Sequence, residues 1–152
     1  MRVFRLALLC LCLCLGLGLP PALGATCPAD QASTVRVGSQ RFQVTVAATP
    51  ATRERGLSGQ AGLSRHAGMW FVLPEVGRPG FWMRDMRFPI DLVWVSPAFR
   101  VAGAVSLQPC HELSCPVSYP PEPVAYVLEV AAGRFAGRSG DAVTWVCHPA
   151  QQ

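Results

Sequence analysis

The segment from Phe81 to Val95, FWMRDMRFPIDLVWV, constrains the fold of this 152-residue chain more than any other stretch. From Pro89 onward it predicts a β-strand that is apolar on both faces and is interrupted only by Asp91. One face would carry Ile90, Leu92 and Trp94, and the other Asp91, Val93 and Val95. Because burying an unpaired carboxylate is costly, Asp91 needs a partner. The segment therefore predicts a pocket or an ionic core.

The first 25 residues predict an export signal that is not part of the fold. Arg2 and Arg5 precede an apolar stretch from Leu6 to Leu19, which is shorter than the roughly 20 residues that a spanning helix needs. We therefore expect residues 1–25 to be cleaved and residues 26–152 to form one domain. The mature protein would be periplasmic or secreted, without a stable membrane span. Lipidation at Cys27 and a retained anchor are the alternatives.

Removal of the signal leaves four cysteines, namely Cys27, Cys110, Cys115 and Cys147. An even number in an exported chain predicts two disulfides, with three possible pairings. Cys110 and Cys115 enclose a short loop, which favours a local Cys110–Cys115 bridge and leaves Cys27–Cys147 as the second. The competing interpretation is a metal site built from Cys110, His111, Cys115 and His148. An oxidising compartment argues against it, so we expect no metal.

The charge of the chain does not suggest a nucleic-acid partner. All 13 basic residues are arginine, and without Arg2 and Arg5 the balance is 11 arginines against 9 acids, or +2. The arginines form no continuous run. We expect a monomer with no cofactor and no bound nucleic acid.

Alternation of apolar and polar residues predicts a mainly β (α+β) fold, a small closed or partly closed β-barrel-like domain with one short helix. Thr49-Pro50 predicts the start of that helix, which would end near Gly59. A hairpin is predicted over 35–46, a turn or flap over 74–80, an irregular loop over 109–123 and one helical turn over 133–139. The remaining predicted strands are 69–73, 81–85, 90–95, 100–107, 125–130 and 141–147.

Several motifs occur in an order that resembles the domain of unknown function 192 family. They are RERGL at 53–57, GMWFV at 68–72, FWMRDM at 81–86, PIDLVWV at 89–95, PC at 109–110, CP at 115–116, YVLEV at 126–130 and GD at 140–141. The resemblance covers about residues 35–147 and implies a compact, β-rich domain that is often exported in bacteria. The resemblance does not imply any particular reaction. The chain departs from the family pattern at Thr52, Ser58 and Arg84-Asp85-Met86. The last departure changes the charge geometry of any ligand site at that segment.

Four ionisable residues lie on these motifs, namely Arg53, Arg84, Asp91 and Glu129. One interpretation is a partly buried ion network that fixes strand register. A second is an anion-binding pocket in which arginines grip a carboxylate or a phosphate-like group, with Trp82 as an exposed stacking wall. A third makes Asp91 and Glu129 a general acid/base pair. The nearby arginines argue against the third, because they would lower carboxyl pKa values.

The leading functional hypothesis is a non-catalytic binding or accessory module with a pocket for a small anionic or sugar ligand. It would use Arg53, Trp82, Arg84, Asp91 and Glu129, and no catalytic residue is assigned. The first alternative is a hydrolase of cell-wall or polysaccharide material that uses Asp91 and Glu129. The second is a metal-handling or structural envelope factor that uses the loop at 110–115.

Overall fold

The computed structural model describes residues 33–148, which form a curled, seven-stranded half-barrel with one short helix. The mainly β prediction is therefore confirmed. The elements are β1 (Ser33–Val37), β2 (Gln40–Ala47), α1 (Pro50–Arg55), β3 (Ala67–Gly77), β4 (Phe81–Trp82), β5 (Ile90–Val95), β6 (Val101–Leu107), β7 (Val117–Ser118), β8 (Val124–Ala131) and β9 (Val143–Cys147). The large sheet has the order β6-β5-β8-β3-β2-β1-β9, and β4 pairs with β7 in a separate two-stranded sheet.

Within the large sheet only β2 and β3 run parallel, and α1 lies in the connection between them. Thr49 caps the helix through a reciprocal pair of hydrogen bonds, because its hydroxyl accepts from Thr52 N at 3.2 Å and its own N–H donates to Thr52 Oγ1 at 3.0 Å. The helix ends at Arg55, about one turn before the predicted end at Gly59. The reason is Gly56, whose φ of 51° breaks the helical path.

The two faces of β5 belong to two different apolar cores, and each face carries the residues that the sequence predicted for it. Val93 and Val95 point into a cluster to which all seven strands of the large sheet contribute, the interior of the half-barrel. Ile90, Leu92 and Trp94 lie on the outer face, in a second cluster with residues from the turn after α1 and the 81–86 segment. All six residues of β5 are buried, so the strand is covered on both sides.

The two edge strands of the large sheet meet at one end, which partly closes the barrel. Val101 N donates to Asp141 O at 3.0 Å, Gly140 N to Val101 O at 2.8 Å, and Val143 N to Phe99 O at 2.9 Å. These bonds join the start of β6 to the start of β9. The prediction of a partly closed barrel is confirmed in this form.

Three local predictions are wrong. Strand β3 continues to Gly77 through an irregularity after Val72, so much of the predicted turn at 74–80 is strand. The predicted strand at 81–85 is reduced to β4, because Asp85 adopts a φ of 59°. The predicted helical turn at 133–139 is absent, and its backbone is instead bonded to side chains of β2 and β5.

The loop at 109–123 contains the Cys110–Cys115 disulfide, with the two Cα atoms 5.8 Å apart, and strand β7. Cys27 and the predicted signal at 1–25 lie outside the described residues. The Cys27–Cys147 bridge therefore stays a prediction.

Candidate functional site

Glu129 is a buried carboxyl on the outer face of the sheet. It lies on β8 directly between Met69 of β3 and Leu92 of β5, both members of the outer apolar cluster. Its residue is 6% exposed, and no hydrogen bond or ion pair joins its carboxyl to any other residue between 33 and 148. Desolvation by burial raises the pKa of Glu129 from 4.5 to about 8. At neutral pH the group is therefore mostly a neutral carboxylic acid, which can donate a hydrogen bond.

Glu129 lies at the inner wall of a cavity of about 480 Å³, here called the Glu129 cleft. The cleft runs between α1 with its following turn, the far half of β3 and the 79–86 segment. Its apolar wall is formed by Leu57, Phe71, Leu73, Phe81, Met83, Met86 and Ile90. A carboxyl among these side chains has little access to water, which is the physical cause of its raised pKa.

Cationic and aromatic side chains also line the cleft, among them Arg53, Arg55, Arg84 and Trp82. The guanidinium of Arg53 is held in place, since its Nη1 donates to Ala48 O at 2.5 Å and to Val72 O at 3.1 Å. Arg84 is exposed and makes no side-chain hydrogen bond or ion pair within residues 33–148. Trp82 is 54% exposed, in agreement with the prediction that it is the exposed tryptophan.

Asp91 does not belong to this cleft, and its predicted arginine partner is wrong. Asp91 pairs with Val130 across the β5–β8 ladder and Glu129 pairs with Leu92, so the two carboxyls point to opposite faces of the sheet. The Asp91 carboxylate accepts hydrogen bonds from Ser106 Oγ at 2.6 Å and from the backbone N–H groups of Arg134 and Phe135 at 3.0 Å each. It anchors a loop.

Two interpretations fail on this geometry. A network of Arg53, Arg84, Asp91 and Glu129 is absent, because the ion pair between Arg138 and Asp141 is the only one that residues 33–148 form. An acid/base pair of Asp91 and Glu129 is also excluded, because a sugar ring cannot lie between carboxyls on opposite faces of one sheet. The structure therefore brings together Arg53, Trp82, Arg84 and Glu129, and leaves out Asp91.

The metal-site interpretation fails for a different reason. Cys110 and Cys115 are bonded to each other, so they offer no thiolates, and His148 Nε2 lies 2.6 Å from Thr34 Oγ1. Across residues 33–148 no group of three or more His, Cys, Asp or Glu side chains is arranged to hold a metal ion.

No helix within residues 33–148 is long and apolar enough to span a membrane.

The apolar wall of the cleft was missed by sequence reasoning. Leu57 and Met83 belong to the RERGL and FWMRDM motifs, which were recognised as motifs, but nothing in either segment shows that they face each other. The face of the sheet on which Glu129 lies could have been predicted from the sequence. In the strand pattern YVLEV its neighbours Leu128 and Val130 point into the barrel, so Glu129 must face the opposite side.

Comparisons with known proteins agree with the fold. A crystal structure of a protein of unknown function from Novosphingobium aromaticivorans is similar, with a TM-score of 0.66 and 27% identity over 75% of this chain and 84% of that one. The crystal structure of a "putative transcription regulator" from Sinorhizobium meliloti is similar with a TM-score of 0.67 and 25% identity, over 80% of this chain and 98% of that one. No curated protein matches the chain. The family model DUF192, described as "Uncharacterized ACR", matches residues 33–145, and the chain therefore belongs to this family.

Proposed function

We propose that this protein is a non-catalytic binding module that holds a small, ring-bearing acid, such as a sugar acid, in the Glu129 cleft. The observation that carries this proposal is the buried Glu129 carboxyl, which has no partner within residues 33–148. Buried polar groups in folded proteins are nearly always hydrogen-bonded, so a ligand that enters the cleft would complete the site.

The chemistry of the cleft supports this ligand class. A neutral Glu129 donates a hydrogen bond to a hydroxyl or carbonyl oxygen deep in the cleft. The apolar wall and the exposed face of Trp82 suit a ring or a short apolar body. Arg84 and Arg53 supply guanidinium donors for a carboxylate at the other end of the ligand. A ligand of this kind is polar at both ends and apolar between them.

Titration calorimetry with glucuronate, benzoate and glucose tests the proposal. Glucuronate and benzoate carry the anionic group and a ring, whereas glucose has the ring without the charge. We expect the two acids to bind more tightly than glucose, and Arg84→Ala to weaken them by about tenfold, because a charge-assisted hydrogen bond is lost.

The matched control is Arg87→Ala, which removes an exposed arginine that does not line the cleft. Affinity for the acids should fall as the pH rises through about 8, because an ionised Glu129 repels an anion. In Glu129→Gln this loss should disappear. Equal weakening by Arg84→Ala and Arg87→Ala, or the absence of binding by either acid, would contradict the proposal.

We also propose that the protein is exported and acts in the periplasm or outside the cell. The support is the signal-like sequence at 1–25 and the Cys110–Cys115 disulfide, since such bonds persist in oxidising compartments. Expression in a bacterium, fractionation and intact-mass measurement would test this. Recovery of a chain shortened by about 25 residues from the periplasm or medium is expected. Recovery of the full-length chain from the cytoplasm would contradict export.

A further inference from the structure

A second cavity, of about 640 Å³, lies where the start of β2, the residues before β3 and the turn after β8 come together. Its lining includes Arg41, Arg65, His66 and Arg134 and contains no aspartate or glutamate. We call it the Arg134 cavity. It shares no lining residue with the Glu129 cleft.

The loop that carries Arg134 is held on two sides. Asp91 accepts hydrogen bonds from the backbone N–H groups of Arg134 and Phe135. On the other side the Gln40 amide spans the loop, since its Nε2 donates to Arg134 O at 2.7 Å and its Oε1 accepts from Ala136 N at 2.8 Å. Four hydrogen bonds therefore fix a segment that has no regular secondary structure, and they fix the backbone from which Arg134 projects.

The other cations of the cavity start from neighbouring strands. Gln43 N donates to His66 O at 2.7 Å, which ties the residues before β3 to β2. The two strands run parallel from this point, so Arg41 and Arg65 each precede the paired region by two residues and lie at the same end of the sheet.

None of the three guanidiniums is compensated by an acidic side chain within residues 33–148, where the one ion pair is Arg138–Asp141. Like charges gathered around one concavity repel each other and focus a positive potential into it. The fold maintains this arrangement with a buried aspartate, Asp91, and an exposed amide bridge from Gln40. A multiply charged anion in the cavity would neutralise this positive potential. A single exposed ion pair would stabilise the arrangement only slightly.

We propose that the Arg134 cavity is a binding site for a small polyanion, a ligand with two or more adjacent phosphate or carboxylate groups. Planar guanidiniums offer paired donors to such groups, and three of them around one cavity match more than one anionic group at once. The site is separate from the Glu129 cleft and does not depend on the function proposed for it.

Titration calorimetry at constant ionic strength tests the site, with pyrophosphate and citrate as polyanions and acetate as the single-charge reference. We expect one molecule of pyrophosphate or citrate to bind per chain, and acetate to bind much more weakly. The comparison of pyrophosphate with citrate distinguishes a phosphate ligand from a carboxylate ligand. Arg134→Gln and Arg65→Gln should each weaken the polyanion by about tenfold or more.

Arg87→Gln is the matched control, because it removes the same charge from an exposed position outside both cavities. It should leave polyanion binding within about twofold of the wild type, since only long-range charge is lost. Unfolding curves of each variant show whether it is folded. The proposal is overturned if neither polyanion binds, or if Arg87→Gln weakens binding as much as Arg134→Gln.

Discussion

At the scale of single residues, Glu129 links the stability of the fold to pH. Its pKa is raised to about 8 in the folded chain, against an ordinary value of 4.5. The folded chain therefore holds a proton that the unfolded chain has lost at pH values between these two. Stabilisation from this protonation is fully present below about pH 4.5 and disappears as the pH rises through about 8.

The substitution Glu129→Gln tests this linkage, because glutamine has nearly the same shape and does not ionise. We expect the variant to gain stability relative to the wild type as the pH rises, by up to about 1.4 kcal/mol per pH unit inside the window. Urea unfolding at about pH 5 and about pH 9 measures the difference. A difference between the two proteins that is the same at both pH values would show that Glu129 ionises normally.

Asp91 is the residue whose role changed most between sequence and structure. Its carboxylate accepts one hydroxyl and two backbone donors, and Asp91→Asn removes the negative charge that strengthens these three hydrogen bonds. We expect a loss of about 2–3 kcal/mol in the free energy of unfolding, the magnitude of hydrogen bonds to a charged group. Urea unfolding measures it. The control Asp85→Asn should be nearly neutral, because Asp85 is exposed and asparagine tolerates its positive φ.

At the scale of elements, the contact between β3 and β8 depends on a glycine. A Cβ on Gly68 would lie 2.7 Å from Glu129 O and 3.1 Å from Val130 Cγ1. The first atom is backbone in the middle of the sheet, so it cannot move without disturbing the ladder. The same pairing sets the register of β8, and through it the face on which Glu129 lies.

We expect Gly68→Ala to lower the free energy of unfolding by about 1–3 kcal/mol, the range of overpacking substitutions. Gly62→Ala is the matched control, because a Cβ there meets no atom within 4 Å and its φ is not positive. It should be neutral or slightly stabilising, since alanine restricts the unfolded chain. Denaturation curves of the two variants measure the difference in stability. Equal unfolding midpoints would show that β3 and β8 do not approach this closely.

Local patterns predicted the elements that depend on nearby residues. The boundaries of β5 follow from a short apolar run after Pro89, and the start of α1 follows from Thr49-Pro50; both signals lie within a few positions of the element. The hydrogen-bond partner of Asp91 could not be predicted from a local pattern, because it lies 43 residues away in the backbone of a loop. Backbone donors are offered by almost every residue, so no side-chain pattern marks the one that is used. The walls of the Glu129 cleft were missed because Leu57 and Met83 lie on segments that are distant in sequence, and no local pattern shows that they pack together.

At the scale of the whole molecule, the half-barrel depends on a few bonds between its two edge strands. Gly140 has a φ of 89°, and its N–H donates to Val101 O where the start of β6 meets the start of β9. A residue with a Cβ is strained in this conformation. Because β6 and β9 are the outermost strands of the sheet, a change at Gly140 acts on the connection between its ends and leaves the ladders between them intact.

We therefore expect Gly140→Ala to lower the free energy of unfolding by about 1–2 kcal/mol through this strain. It should also speed hydrogen exchange at the amides of Val101 and Val143, whose bonds close the barrel, more than at the amides of β5. Gly77→Ala is the control, since its φ is not positive and a Cβ there is uncrowded. Uniformly faster exchange in every strand would mean that closure is not a separate unit of stability. Faster hydrogen exchange confined to the edge strands β6 and β9 would mean that the central sheet, which carries Glu129, stays folded without the closing bonds.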